Sequence, residues 1–393
     1  MVVGAQSEKL ATKSGGIVKS QQGESLGSAF NPKQNGLNFL RLLLASLVVI
    51  SHGGPLAGHE TPVRNLGSIS VDAFFALSGF LILRSWLMNP NAYAFLWRRF
   101  LRLMPAYWVC IVATALIVAP AVYATENGSL SGFWGHTEGP LSYIGKNAFL
   151  LSKQTSISGT PLGNPYPGVW DLPLWTLFFE AICYLGIVVL GVVGILKRWP
   201  RAIPLFAVLA GVILLVRAMF LTSFLFLDGY WLSQGARLGL MFLAGATLWL
   251  YRDKVPMRRG LFLASVGVVL GAYSWELITK RPWESYVAFA ALPLAYAALW
   301  LVVTVRVTIG QRNDLSYGVY IYGFVVTQLL AVFGLHRVVG WGLFTALALI
   351  ATLPVAAASW FVVERKALSY KKRVPFGPSM EVGNRGAQHP ERP

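Results

Sequence analysis

Residues 35–59 read NGLNFLRLLLASLVVISHGGPLAGH, and they predict a membrane-spanning helix with a basic side chain towards each end. The run from Leu42 to Ile50 is almost entirely apolar and lies between Arg41 and His52. Eleven positions of an α-helix make about three turns and cover roughly 16 Å, so Arg41 and His52 share one face. Because an ionisable group within an apolar span is costly, we expect this face to be functional. The alternative is that Arg41 snorkels to the headgroups and that His52 merely ends the helix.

The composition of the 393-residue chain is typical of a membrane protein that crosses the bilayer many times. Hydrophobic residues make up 55% and charged residues 12%, whereas a soluble domain has about 25% charged residues. A span needs about 20 mostly apolar residues, and we therefore predict an all-α, polytopic membrane helix bundle of about ten transmembrane helices. These candidate spans lie at 36–54, 68–88, 103–124, 172–196, 202–222, 229–250, 260–278, 285–304, 315–334 and 340–363.

The distribution of basic residues predicts the orientation of the bundle. The net charge is +17, and 23 of the 33 Lys and Arg residues fall in segments on the N-terminal side of the membrane, against six on the other side. Such an excess marks the cytoplasmic side. We therefore expect both termini in the cytoplasm, a multi-pass protein of the cell (plasma or inner) membrane, and no nucleic-acid partner. His52 then lies at the outer end of the first helix.

The chain divides into a disordered cytoplasmic tail, a transmembrane domain and a basic cytoplasmic tail, at 1–35, 36–365 and 366–393. Within the domain, residues 125–171 form a long extracytoplasmic loop, and such loops are often binding elements. Four aromatic residues of this loop could stack on sugars or lie among headgroups: Trp134, Tyr143, Tyr166 and Trp170. No group of His, Cys, Asp or Glu has metal-ligand spacing, so we expect no metal site.

Two arginines mark the predicted cytoplasmic mouth of the third span. Arg99 and Arg102 are three residues apart, so they project from one helix face. Two guanidinium groups on one face suit a phosphorylated ligand. The alternative is that they only anchor the helix at the cytoplasmic side, which is what we expect for Arg98.

Two acids are candidates to orient His52 or to pair with it. Asp72 lies near the outer end of the second span, at a similar depth, and an acid next to an imidazole can fix its tautomer. The alternative is that Asp72 is an interfacial capping acid. Glu180 is the only acid in the fourth span, roughly two turns below the outer surface. Its expected partner is His52 or an arginine, and a structural ion pair with Arg237 or Arg217 is the alternative.

Five motifs in order along the chain resemble those of the acyltransferase type 3 family of membrane-bound O-acyltransferases. The first is Arg41 followed, after ten residues, by His52. The others are VDAFFALSGFLI at 71–82, RFLRLMPAYW at 99–108, WTLFFE at 175–180 and LSYGVYIY at 315–322. The chain departs from the family pattern at three positions: Asn38 replaces the Asp of many members, and Gly323 and Phe324 replace a usual His-Trp.

The resemblance implies that the chain transfers an acetyl or other short acyl group, succinyl included, from cytoplasmic acyl-CoA to a hydroxyl. The acceptor would be an extracytoplasmic cell-envelope polysaccharide or glycolipid. His52 would act as general base, because imidazole has a suitable intrinsic pKa, and Glu180 or Asp72 would orient it. A His-acyl intermediate is a second route. Acetyl-CoA or succinyl-CoA would be the co-substrate, bound by three basic side chains: Arg41, Arg99 and Arg102.

Two other functions fit the same residues. A transporter or flippase of a lipid-linked saccharide would use intramembrane charges as a polar path, formed by Arg41, Arg217, Arg237 and Glu180. A structural membrane subunit would need none of these charges.

Overall fold

The computed structural model describes residues 24–61, 63, 65–220, 229–279, 287–305, 307, 310 and 313–373. At 216–220, 229, 230, 276, 277, 279 and 372 only the backbone is described. No β-strand occurs in these residues. The helices that build the fold are α1 Leu37–Leu56, α2 Leu66–Met88, α3 Ala92–Asn127, α4 Pro140–Asn147, α5 Leu172–Val192, α6 Ala202–Phe220, α7 Gly229–Leu250, α8 Arg259–Thr279, α9 Val287–Thr304, α10 Ser316–Val332 and α11 Trp341–Ser369.

The chain is an all-helical, multi-pass membrane protein, as its composition predicts. Among the described residues, six helices are long and apolar enough to cross a membrane: α1, α2, α3, α5, α9 and α11. Shorter apolar segments lie in α6, α8 and α10. A helix covers most of the described residues of each of the ten predicted segments. That all ten cross the membrane, and that both termini are cytoplasmic, stay predictions.

The third helix begins eleven residues earlier than predicted. It starts at Ala92, where the side chain of Asn91 accepts a 2.9 Å hydrogen bond from the Ala94 N–H and so caps the first turn. An N-cap of this kind satisfies a backbone donor that has no partner within the helix. The three arginines that precede the predicted span, Arg98, Arg99 and Arg102, therefore lie within α3 itself.

Helices α2 and α7 pack with their backbones almost in contact. A Cβ atom placed on Gly79 would lie 1.8 Å from the Phe242 carbonyl oxygen, and one on Gly245 would lie 1.8 Å from the Ala76 carbonyl oxygen. Close approach through small residues is the usual way that membrane helices pack. This contact fixes α2, which supplies much of the cavity wall described below.

The predicted disordered tail does not hold for residues 24–35. This segment lies against the loop after α7, where the Leu26 N–H donates to the Val255 carbonyl and the Met257 N–H donates to the Glu24 carbonyl, both at 2.8 Å. Leu26 and Phe30 are buried in the main core, because apolar side chains gain free energy on leaving water. Residues 1–23 and 374–393 lie outside the described part.

The long loop between α3 and α5 contributes buried residues to the main core. Phe133, Ile157 and Trp170 are fully buried, and α4 contributes the buried Tyr143. Tyr143 and Trp170 are therefore exposed neither to sugars nor to headgroups, which were the two alternatives for them. Trp134 keeps 56% of its surface exposed.

Burial of Asp171 at the end of this loop predicts a pH-dependent stability. Burial raises its pKa to about 7, although a hydrogen bond from the Tyr143 hydroxyl acts in the opposite direction. A carboxyl of ordinary pKa near 3.9 in the unfolded chain then loses its proton before the folded form does. The unfolded state is therefore favoured progressively between about pH 4 and pH 7, and stability falls over that window.

We expect the thermal midpoint of the protein in detergent to fall as the pH rises from 5 to 7, and part of this fall to disappear in Asp171→Asn. Glu60→Gln, which changes an exposed acid near the same end, is the control. An identical pH dependence in Asp171→Asn and the unchanged protein would contradict the assignment.

Candidate active site

A cavity of about 240 Å³ extends into the bundle and changes from basic at one end to mostly apolar at the other. Along α2 its wall extends from Val71 to Ile82, a length of roughly 16 Å at 1.5 Å per residue. We call the charged end the basic end; it is formed by Arg41, Arg98, Arg99, Arg102 and Lys371. The rest of the lining is mostly apolar and comes from α2, α3, α5, α10 and α11.

One carboxylate holds two arginines of the basic end in place. The Asp314 carboxylate accepts from Arg41 Nη1 at 3.0 Å and from Arg102 Nη2 at 2.6 Å. Arg102 also lies 3.6 Å from Glu364 Oε2 of α11. Burial raises the pKa of Asp314, but the Arg102 and Arg41 charges outweigh it and hold the pKa below its ordinary value. Asp314 is therefore charged at neutral pH and fixes both guanidinium groups at the mouth.

Arg99 reaches the same mouth by a different set of contacts. Its guanidinium carbon lies 5.7 Å from the centre of the Phe95 ring and 5.8 Å from that of Tyr184. Cations are attracted to aromatic faces at such distances. Arg98, which we expected only to anchor the helix, also lines the cavity. The basic end therefore has the charge to hold a polyanionic ligand.

Glu180 lies in the wall midway along the cavity. Its Oε1 accepts hydrogen bonds from the hydroxyls of Ser78, at 3.3 Å, and Tyr184. Thr176 lies one helical turn further from the basic end and also lines the cavity. The described hydrogen bonds thus join Glu180 to two hydroxyl groups rather than to Arg237, and the side chain of Arg217 lies outside the described residues.

Asp72 forms a buried ion pair with Arg237 of α7. The Arg237 Nε lies 2.9 Å from Asp72 Oδ1, and the same guanidinium donates to Gln234 Oε1 and to the Ser68 carbonyl, both at 3.0 Å. The side chain of Asp72 is 0% exposed and that of Arg237 is 5% exposed. This pair joins α2 to α7. Asp72 is not among the described residues that line the cavity.

We expect Asp72→Asn to destabilise the protein by roughly 3–5 kcal/mol, because it removes the negative charge from a buried ion pair with Arg237. A thermal shift in detergent or nanodiscs measures the loss, with the surface change Asp253→Asn as control. A midpoint unchanged from the parent protein would show that this pair contributes little.

His52 lies near the far end of α1, with its tautomer fixed by the backbone. Its Nδ1 lies 2.7 Å from the Val48 carbonyl oxygen. A carbonyl can only accept, so Nδ1 carries the proton and Nε2 is the basic nitrogen. The ring also meets Phe324 of α10 edge-on, with centroids 5.4 Å apart. A backbone carbonyl therefore orients the ring, and a role of Asp72 or Glu180 in orienting His52 stays a prediction.

We call the end of the cavity opposite the basic end its inner end, and this end does not reach His52. Phe324 and Gly67 both lie close to the His52 ring. Phe324 lies one turn of α10 beyond the cavity residue Tyr320, and Gly67 lies one turn of α2 beyond the cavity residue Val71. One turn is roughly 6 Å along the axis. Arg41, Arg99, Arg102 and Glu180 thus surround one cavity, and His52 lies about one turn beyond its inner end.

Comparison with known proteins gives the family. A sequence model described as an acyltransferase domain, of the type 3 acyltransferases, matches residues 34–361. This chain belongs to the type 3 acyltransferase family.

Three relatives are similar over most of their length. Nodulation protein 10 of Rhizobium leguminosarum bv. viciae is 27% identical, over 86% of this chain and 94% of the relative. The O-acetyl transferase of Shigella phage Sf6 is 25% identical, over 86% and 97%. The exopolysaccharide production protein ExoZ of Rhizobium meliloti (strain 1021) is 24% identical, over 81% and 94%. No solved structure matches the chain.

Sequence reasoning missed several residues of this acyltransferase. Asp314 comes directly before the LSYGVYIY motif at 315–322 and was not singled out, although an acid at the start of a predicted span is a signal that could have found it. Tyr184 and Glu364 had no motif to single them out. In the described residues, no group of three or more His, Cys, Asp or Glu side chains could hold a metal ion.

Proposed function

We propose that the protein moves an acetyl or other short acyl group from acyl-CoA to a hydroxyl of an extracytoplasmic cell-envelope polysaccharide or glycolipid. The observation that carries this proposal is the cavity that begins at an arginine cluster and ends about one helical turn from His52. CoA is polyanionic, and arginine forks suit phosphate groups. The relatives named for O-acetyl transfer and exopolysaccharide production support the same reaction and acceptor.

In the proposed reaction, acyl-CoA enters from the basic end, with its phosphates at Arg41, Arg99 and Arg102. The acceptor hydroxyl approaches from the His52 end. His52 Nε2 takes the hydroxyl proton as the oxygen attacks the thioester carbonyl, the C–S bond breaks, and the CoA thiolate leaves with that proton. Transfer through a His-acyl intermediate uses the same residues in two steps.

The side chains near the inner end favour an uncharged acyl group over succinyl. A succinyl carboxylate would need a cation there. Arg237, one candidate for that cation, is buried against Asp72 rather than among the described lining residues.

The orientation follows from the donor. With CoA on the cytoplasmic side, the basic end faces the cytoplasm, both termini are cytoplasmic, and the 125–171 loop faces outward in the inner or plasma membrane. Succinyl-CoA is the alternative donor that the assay below compares directly.

The test is the release of free CoA thiol by purified protein in nanodiscs. Acetyl-CoA and succinyl-CoA are each offered with a cell-envelope polysaccharide fraction, and the polysaccharide is assayed for ester-linked acyl groups. We expect acceptor-dependent thiol release and ester formation with acetyl-CoA. An absence of turnover with every donor, together with movement of a lipid-linked saccharide across proteoliposome membranes, would contradict acyl transfer and support the transporter function instead.

A further inference from the structure

Three side chains from three helices line the cavity towards its inner end: Phe74 of α2, Thr176 of α5 and Tyr320 of α10. The Phe74 and Tyr320 rings meet edge-on, with centroids 6.0 Å apart and planes at 70°. We call this group the inner wall. Within the cavity lining, it lies on the side towards His52.

Hydrogen bonds hold the inner wall in place. The Tyr320 hydroxyl donates to the Pro173 carbonyl at 2.9 Å and pairs with the Thr176 hydroxyl, which itself lies 3.1 Å from the same carbonyl. Tyr320 and Thr176 are buried, whereas Phe74 is half-buried and carries no polar atom. Phe74 is therefore the member of the wall whose size can be changed without leaving a buried hydrogen-bonding group unpaired.

In the proposed direction of donor binding, the acyl chain is the part of the donor that reaches the inner wall. With the phosphates at the basic end, the acyl chain points ahead of the thioester and meets the inner wall first. Each added CH₂ group must either find room at the wall or push the thioester carbonyl back towards the basic end, away from His52. A close-packed wall does not give way to extra atoms without strain.

We propose that Phe74, packed against Tyr320, restricts this enzyme to short acyl donors. This specificity-determining role rests on the proposed function, since it requires an acyl-CoA in the cavity. A smaller side chain at position 74 opens apolar space at the inner end, and a longer acyl chain fills that space while its thioester keeps the same place.

The experiment compares kcat/KM for acetyl-, butyryl- and hexanoyl-CoA in the parent enzyme, Phe74→Ala and Phe74→Leu. In Phe74→Ala we expect the ratio of butyryl- to acetyl-CoA to rise about tenfold, the effect of burying two further CH₂ groups. Phe74→Leu should move the ratio in the same direction by less. Phe289→Ala, which truncates an exposed phenylalanine of α9, is the matched control and should keep the parent ratio.

The outcomes separate the two proposals. If the parent enzyme turns over acetyl-CoA but folded Phe74→Ala keeps its chain-length profile, the inner wall does not select the donor and only this inference falls. If Phe74→Ala does not fold, the profile of Phe74→Leu decides in the same way. If the parent enzyme turns over no acyl-CoA at all, the proposed function fails and this inference fails with it.

Discussion

Replacing His52 with alanine is expected to lower kcat for acyl transfer by about 10²- to 10⁴-fold, the usual contribution of a positioned general base. The expectation follows from the fixed tautomer, since the Val48 carbonyl holds the proton on Nδ1 and leaves Nε2 as the basic nitrogen. The KM for acyl-CoA should change little, because His52 lies beyond the inner end of the cavity. Thiol release and ester formation on the polysaccharide measure both constants.

A second substitution separates the loss of the base from damage to the helix. In His52→Asn the side-chain amide can still donate to the Val48 carbonyl but cannot take a proton. We expect this variant to be as inactive as His52→Ala while keeping the thermal midpoint of the parent. His59→Ala, which removes an exposed histidine at the same end of the chain's first helix, should retain full activity.

Full turnover in a folded His52→Ala would remove His52 from the chemistry. The same proteins can distinguish direct transfer from a two-step route. If radiolabelled acyl-CoA without acceptor labels the parent protein and not His52→Asn, the reaction passes through an acyl-enzyme. If neither is labelled while turnover needs His52, the transfer is direct.

Replacing Arg102 with glutamine is expected to raise the KM for acyl-CoA roughly 10- to 100-fold, with a smaller effect on kcat. Arg102 lines the basic end and neutralises two acids, Asp314 and Glu364. Its removal takes away one charge-assisted contact, worth about 1.5–3 kcal/mol. It also leaves a carboxylate uncompensated where the donor phosphates are proposed to lie, and the resulting repulsion acts in the same direction.

These two contributions can be separated with a double variant. If repulsion from Glu364 matters, Arg102→Gln combined with Glu364→Gln should recover part of the lost affinity. If only a direct phosphate contact is lost, the second change recovers nothing. Arg252→Gln is the control, since Arg252 is a partly exposed basic residue that pairs with Asp253 and is not among the described lining residues. A parent-like KM in Arg102→Gln would contradict donor binding at this end.

The sequence by itself determined the features that depend on helix periodicity and composition. Ten long apolar segments predict ten helices because a membrane leaves the backbone few other ways to satisfy its hydrogen bonds, and a helix covers most of the described residues of each segment. The eleven-residue interval sets the depth of Arg41 relative to His52, and the three-residue interval sets Arg99 beside Arg102, because both are fixed by 3.6 residues per turn.

Only the tertiary structure decided which charged and polar groups meet. Arg41 and Arg102 share Asp314, more than 200 positions further along the chain. Asp72 pairs with Arg237, and Glu180 pairs with hydroxyls. No local pattern encodes these partners, since several acids lie at comparable depths and the packing of helices selects among them. The inner wall of Phe74, Thr176 and Tyr320 has the same origin, because three helices must pack together before an apolar side chain lines the inner end of a cavity.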